Sequence, residues 1–168
     1  QKALDKLLKS LPHKDKYPFQ LPYHAAYHTP LLESVSGKAL TTLPEQMFQK
    51  PIVPLVDGRG YIWSSWATNS NDLWNYTLGH QVCKTYDFTT AMNVAIKEFC
   101  PDKLVLLGPG NTLGGSIGQI ITGQNWQDIS CKKDFTNRQK TDPFLISLGI
   151  PEQRDLICHS YEKQAAST

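Results

Sequence analysis

The chain is 168 residues long, enough for one ordinary domain with a core of its own. Apolar residues make up 40% and charged residues 19%, a globular balance that excludes a disordered or fibrous chain. The formal net charge of +2 is too small to point to nucleic acid, and no run approaches the roughly 18 apolar residues of a membrane span.

The chain opens directly in a helical pattern. Leu4, Leu7, Leu8 and Leu11 share one face, with Lys2, Lys6 and Lys9 elsewhere, and the pattern ends near Leu11-Pro12. No capping residue precedes it, Gln1 is not Met, and no apolar signal segment is visible. The start therefore reads as that of a processed or partial chain. Residues 13–16 form a polar loop, and Phe19 to Pro22 a short strand. A helix is predicted from Pro30, with Thr29 as N-cap and Glu33 in support. Ile52 to Val56 predicts a buried strand closed by the turn Asp57-Gly58-Arg59-Gly60. Asn69 to Asp72 reads as a turn and helix start. Asp87 to Phe99 predicts an amphipathic helix with Phe88, Met92, Ala95, Ile96 and Phe99 along one face. Lys103 to Leu107 is a continuous apolar run, the pattern of a strand buried on both faces. Gly108-Pro109-Gly110 then turns into a small-residue helix over Leu113 to Ile121. Beyond about Gln124 the chain is polar, with a helix predicted from Pro151 to Lys163. This alternation of strands and helices predicts an α/β layered fold.

Cys83, Cys100, Cys131 and Cys158 form no close pair and match no zinc spacing, so reduced thiols in a cytoplasmic protein are the simplest reading. His24 and His28 have the spacing of a helical metal pair. Pro22 and Pro30 argue against a helix through them and no third ligand is evident, so no metal is assigned. Asn75-Tyr76-Thr77 fits the glycosylation triplet and reads as a chance match.

The segment Leu21-Pro22-Tyr23-His24-Ala25-Ala26-Tyr27-His28-Thr29-Pro30-Leu31-Leu32 joins a predicted strand to a predicted helix. Scaffolds commonly present reactive groups at such loop ends, and an imidazole exchanges protons near neutral pH. Spacing alone fits a loop histidine with local hydrogen bonds better than a base. The segment, however, resembles the histidine motif of malonyl-CoA:acyl-carrier-protein transacylases, with His28 on the catalytic position. Pro51-Ile52-Val53-Pro54-Leu55-Val56 is similar to that family's two-proline strand. Gln81-Val82-Cys83-Lys84-Thr85-Tyr86-Asp87-Phe88 resembles the segment that approaches the histidine, and Leu106 to Leu113 its glycine-proline-glycine turn. These motifs keep the family's order over roughly residues 2 to 122. Two positions depart from it. Asp57-Gly58 stands where the family usually has asparagine, and Asp87 where it often has glutamine.

The resemblance implies the C-terminal part of an α/β-hydrolase-like acyltransferase core. Residues 1–20 would end a small ferredoxin-like subdomain, 21–123 would belong to the core, and 124–168 would form an extension without an assigned role. It implies His28 as general base, Tyr27 as a residue that selects malonyl over methylmalonyl groups, and the Asp87 main chain as the group that orients the histidine. The substrates implied are malonyl-CoA, a coenzyme A thioester used without a bound cofactor, and the thiol of an acyl carrier protein. Lys2, Lys6, Lys9, Lys14 and Lys16 would face that acidic carrier, or simply solvent. The family's serine elbow, oxyanion hole and carboxylate-binding arginine lie in an N-terminal half that this chain does not overlap. Gly114-Gly115-Ser116-Ile117-Gly118 matches the elbow pattern literally, but an elbow needs a strand running straight into its first glycine. Gly108 to Thr112 intervenes, so Ser116 is expected inside a helix. The same glycines lack both dinucleotide and P-loop spacing. Two other readings remain open: a non-catalytic fragment or interaction module, and a hydrolase using the same dyad.

Overall fold

The structure is a computed structural model, and it describes residues 2–15, 17–20, 25–108, 110 and 112–157. Helix α1 (Lys2–Ser10) begins the chain as its leucine spacing predicts. None of its residues is buried. The strand expected at Phe19 to Pro22 falls partly outside the described residues, as do His24, Cys158 and the end of the helix expected to reach Lys163.

A 3-10 turn (Pro30–Leu32) leads into α2 (Glu33–Thr42), and a second 3-10 turn (Glu45–Met47) follows. The buried strand expected over Ile52 to Val56 does not form. Ile52 is 94% exposed, and pairing is confined to β1 (Leu55–Val56) and β2 (Ile62–Trp63). Pro51 and Pro54 each lack an N–H for a ladder, which leaves only the residues after Pro54 free to pair. β1 and β2 form an antiparallel hairpin, Leu55 opposite Trp63 and Val56 opposite Ile62, around the predicted turn. The chain continues as α3 (Ser70–Asn75), capped by the Asn69 side chain, a π-helical turn (Tyr76–His80) and α4 (Gln81–Cys83). Trp63, Leu73 and Tyr76 form a buried cluster here, with Phe48 against it.

The second half is built around a strand–helix–strand unit. Helix α5 (Phe88–Phe99) precedes β3 (Leu104–Leu106), and α6 (Gly114–Gly123) and α7 (Lys132–Thr141) lie between β3 and β4 (Leu145–Ser147). A short α8 (Pro151–Arg154) follows. β3 and β4 are parallel, with Leu104 opposite Leu145 and Leu106 opposite Ser147. Ile117 and Ile121 of α6 pack with Ile129, Phe144 and Leu145, against Phe88 and Met92 of α5 and Phe135 of α7. Three helices and a parallel strand pair thus share one core, an α/β arrangement at the level of small sheets.

Two sequence expectations change here. The Lys103 to Leu107 run is not buried on both faces: Val105 is 40% exposed and Leu107 80%. The polar stretch after Gln124, expected as an extension without an assigned role, contributes Ile129, Phe144 and Leu145 to the core. It holds β4, and Phe144 before it with Leu145 and Ile146 within it are among the most buried side chains described. The outer edge of β4 is closed by side-chain amides. Gln139 Oε1 accepts from the Phe144 and Leu145 N–H groups, its Nε2 donates to the Leu145 carbonyl at 2.7 Å, and Gln153 Oε1 accepts from the Ser147 N–H. An amide that both donates and accepts satisfies a strand edge as a neighbouring backbone would.

Candidate active site around His28

His28 sits in the loop that enters the Pro30–Leu32 turn, with φ of +60°. That left-handed backbone is uncommon for a residue with a Cβ, and such residues are concentrated where a site holds them in place. The turn around it is closed locally: the Thr29 hydroxyl donates to the Ala26 carbonyl at 2.7 Å. Thr29 is at the N-cap position with extended backbone, as its type predicts, but its hydroxyl serves this turn and not the helix.

The half-buried imidazole makes one long-range hydrogen bond, from Nδ1 to the main-chain carbonyl of Gln81 at 2.5 Å. A carbonyl oxygen can only accept, so Nδ1 carries the hydrogen and the neutral ring keeps its lone pair on Nε2. The segment offering that carbonyl is tied to the loop a second time. Ser36 of α2 is buried, and its hydroxyl donates to the Leu78 carbonyl in the π-helical turn at 2.7 Å. One hydrogen bond at each end therefore fixes the start of α2 against the helix that carries Gln81. On its other side the His28 ring lies against Tyr86, with centroids 5.4 Å apart and planes tilted by 42°.

The carbonyl that orients His28 is not that of Asp87. The Asp87 carbonyl accepts from the Ala91 N–H in the first turn of α5, and its side chain caps the same helix through the Thr90 N–H and hydroxyl. Those helix-start bonds engage the Asp87 main chain and hold its exposed carboxyl below the usual carboxylate range. The observed partner lies in the Gln81–Phe88 segment, six residues before Asp87. Tyr27, beside the histidine, is 56% exposed. Ser116 is an exposed residue of α6, as the intervening turn predicts. It lines a cleft of about 480 Å³ together with Phe88, Thr89 and Asn93 of α5.

A second polar cluster, not anticipated from sequence, lies in the hairpin turn. Asp57, at the start of the hairpin turn, is 4% exposed. Its Oδ1 accepts from the N–H groups of Arg59 and Tyr61, at 2.8 and 3.1 Å. Its Oδ2 accepts from Arg59 Nε and Nη2 and from the buried indole N–H of Trp63, at 3.0, 2.5 and 3.2 Å. Burial alone would push this carboxyl up. The Arg59 side chain, the two backbone N–H groups and the Arg59 charge outweigh burial and hold it below its usual range. The Arg59 guanidinium also lies over the Tyr76 ring, 4.3 Å from its centroid. Tyr76 in turn accepts a hydrogen bond on its hydroxyl from the Gly58 N–H at 2.9 Å. Asp57 and Arg59 at spacing i, i+2 in an Asp-Gly-Arg-Gly turn were the available signal, since an aspartate commonly bonds the backbone two residues on.

No protein-family model, curated protein or solved structure matches the chain. Among the described residues, no cluster of three or more His, Cys, Asp or Glu side chains is placed to hold a metal ion, and no helix is long and apolar enough to cross a membrane.

Proposed function

We propose that this chain carries the histidine half of a serine–histidine acyltransferase site. The acyl group, malonyl by preference, moves from a coenzyme A thioester to the thiol of an acyl carrier protein, and the serine comes from a protein segment outside this chain. The supporting observation is the hydrogen bond from His28 Nδ1 to the Gln81 carbonyl, which leaves the basic electron pair on Nε2.

The chemistry follows from that pair. Nε2 takes the serine proton as the serine oxygen attacks the thioester carbonyl. The imidazolium returns the proton to the departing coenzyme A thiolate, and an acyl-serine ester remains. The carrier thiol then gives its proton to Nε2 as its sulfur attacks the ester, and the proton returns to the serine oxygen as it leaves. A neutral carbonyl behind Nδ1 orients the ring and supports the positive charge that forms on it in both steps.

The test is acyl transfer by the protein that contains both halves. His28→Ala is expected to lower the rate by about 10²- to 10⁴-fold, the usual contribution of a positioned base. Full activity in that variant would rule the reading out. Release of free malonate without carrier protein would mark a hydrolase, and absence of both activities in the complete wild-type protein a non-catalytic module.

A further inference from the structure

We infer that Gly58 and Tyr86 form a positioning device for His28, in which the missing side chain at 58 admits the ring that braces the imidazole. The inference takes its functional meaning from the reading of His28 as a base, but the geometry it describes is independent of any reaction.

A Cβ built on Gly58 would lie 2.4 Å from Tyr86 Cδ2 and 2.7 Å from its Cγ. Carbon atoms in ordinary contact are about 3.5 Å apart, so the ring would have to retreat by about 1 Å. Cγ is the root of the ring and moves only with the whole side chain. The opposite face of the problem is equally fixed. Gly58 donates its N–H to the buried Tyr76 hydroxyl, and its carbonyl accepts from the Asp87 N–H at 2.9 Å. The turn that holds it is pinned by the five hydrogen bonds to Asp57. The glycine backbone therefore cannot yield easily, and strain introduced at 58 passes to Tyr86.

Strain at Tyr86 reaches His28, because the two rings lie 5.4 Å apart. The other restraint on His28, the Gln81 carbonyl, starts α4 directly after the π-helical turn that Tyr76 opens. Tyr76 thus sets the position of Gly58 through its hydroxyl and belongs to the helical segment that delivers Gln81. Both sides of the imidazole are referred to the same anchor. Burial pushes the Tyr86 phenol above its ordinary value, with the Asp57 charge adding to it, so the ring braces as a neutral group.

The experiment reads the imidazole directly. In the full chain, long-range proton–nitrogen NMR correlations report which ring nitrogen of His28 carries the hydrogen. Wild type is expected to show the single Nδ1–H pattern. Gly58→Ala and Tyr86→Ala are each expected to lose it, Tyr86→Phe to keep it, and the Gly58→Ala/Tyr86→Ala pair to be no worse than either alone, because one contact is removed twice. In the complete acyltransferase the two alanine variants are expected to lose about 100-fold in kcat/KM, as a misplacement of about 1 Å can cost. Tyr86→Phe should retain wild-type activity. The inference is overturned if Gly58→Ala folds with the Nδ1–H pattern intact, or if Tyr86→Phe loses the pattern as Tyr86→Ala does. Should Gly58→Ala fail to fold, the comparison of Tyr86→Phe with Tyr86→Ala decides. An intact NMR response with no effect of His28→Ala on acyl transfer would sink the catalytic reading and leave the positioning device standing.

Discussion

Replacing Asp57 by asparagine is the most informative single change outside the histidine, because its buried carboxylate accepts five hydrogen bonds. The substitution preserves shape and removes one acceptor. The amide oxygen can replace Oδ1 and still accept from the Arg59 and Tyr61 N–H groups. The amide nitrogen then faces Arg59 Nε, Arg59 Nη2 and Trp63 Nε1, which are all donors. Flipping the amide exchanges one set of donor–donor contacts for the other. Arg59 is 41% exposed along its side chain and can turn to water, so its share is discounted to less than about 1 kcal/mol. The Trp63 indole is buried and has no such escape, which costs about 1–3 kcal/mol. A total of about 1–4 kcal/mol corresponds to a fall in Tm of roughly 2–16 °C for a chain of this size. Urea unfolding at pH 7 should show the lower midpoint with an unchanged m value. The pH dependence has a defined sign. A carboxyl held low in the folded state contributes stability that is complete above its unfolded pKa, near 4, and is lost as pH falls through the lower folded value. The gap between wild type and Asp57→Asn should therefore narrow in acid. A variant of equal or greater stability at pH 7, or a gap that widens below pH 4, would refute the reasoning.

Gln139→Ala removes three hydrogen bonds from the outer edge of β4 and should destabilise the chain by about 1–3 kcal/mol. Gln139→Glu keeps the acceptor and sets a carboxylate against the Leu145 carbonyl, so it should also fall below wild type in urea unfolding. Ser116→Ala should leave acyl transfer by the complete protein unchanged, because Ser116 is a helical residue; total loss of activity would make it the nucleophile. Tyr27, bulky and next to the histidine, should favour malonyl-CoA over methylmalonyl-CoA as donor, and Tyr27→Ser should narrow that preference. A native preference for methylmalonyl-CoA in a competition assay would exclude the role.

Some of this architecture was legible because its signals are local. The helix expected over Asp87 to Phe99 and the Asp57-Gly58-Arg59-Gly60 turn each depend on a few neighbouring residues. The misreadings arose where a run of apolar residues was taken to imply depth. Ile52 and Val53 are β-branched but flanked by prolines, and without a ladder partner they stay at the surface. Leu104 to Leu107 is apolar throughout, yet burial on both faces requires neighbours that a single strand pair does not supply. The opposite error concealed β4. Phe144-Leu145-Ile146 is a short apolar run bounded by Pro143 and Gly149 in an otherwise polar stretch, a strand signal masked by average composition.

The site shows the same division more sharply. His28 could be singled out because its type and loop position are visible in sequence, whereas its partner is a main-chain carbonyl and leaves no trace in the identity of residue 81. Any residue but a helix breaker at 81 could offer that oxygen. What sequence can encode is the set of side chains that bring the carbonyl to the ring, and those are the ones that deviate from expectation. Asp57 fits this view. Its second oxygen answers donors from Arg59 and Trp63, two and six residues on, so the carboxylate at 57 is matched by residues that need one. The aspartate is therefore built into its surroundings. Here it belongs to a hairpin turn whose glycine meets Tyr86, and Tyr86 meets the histidine.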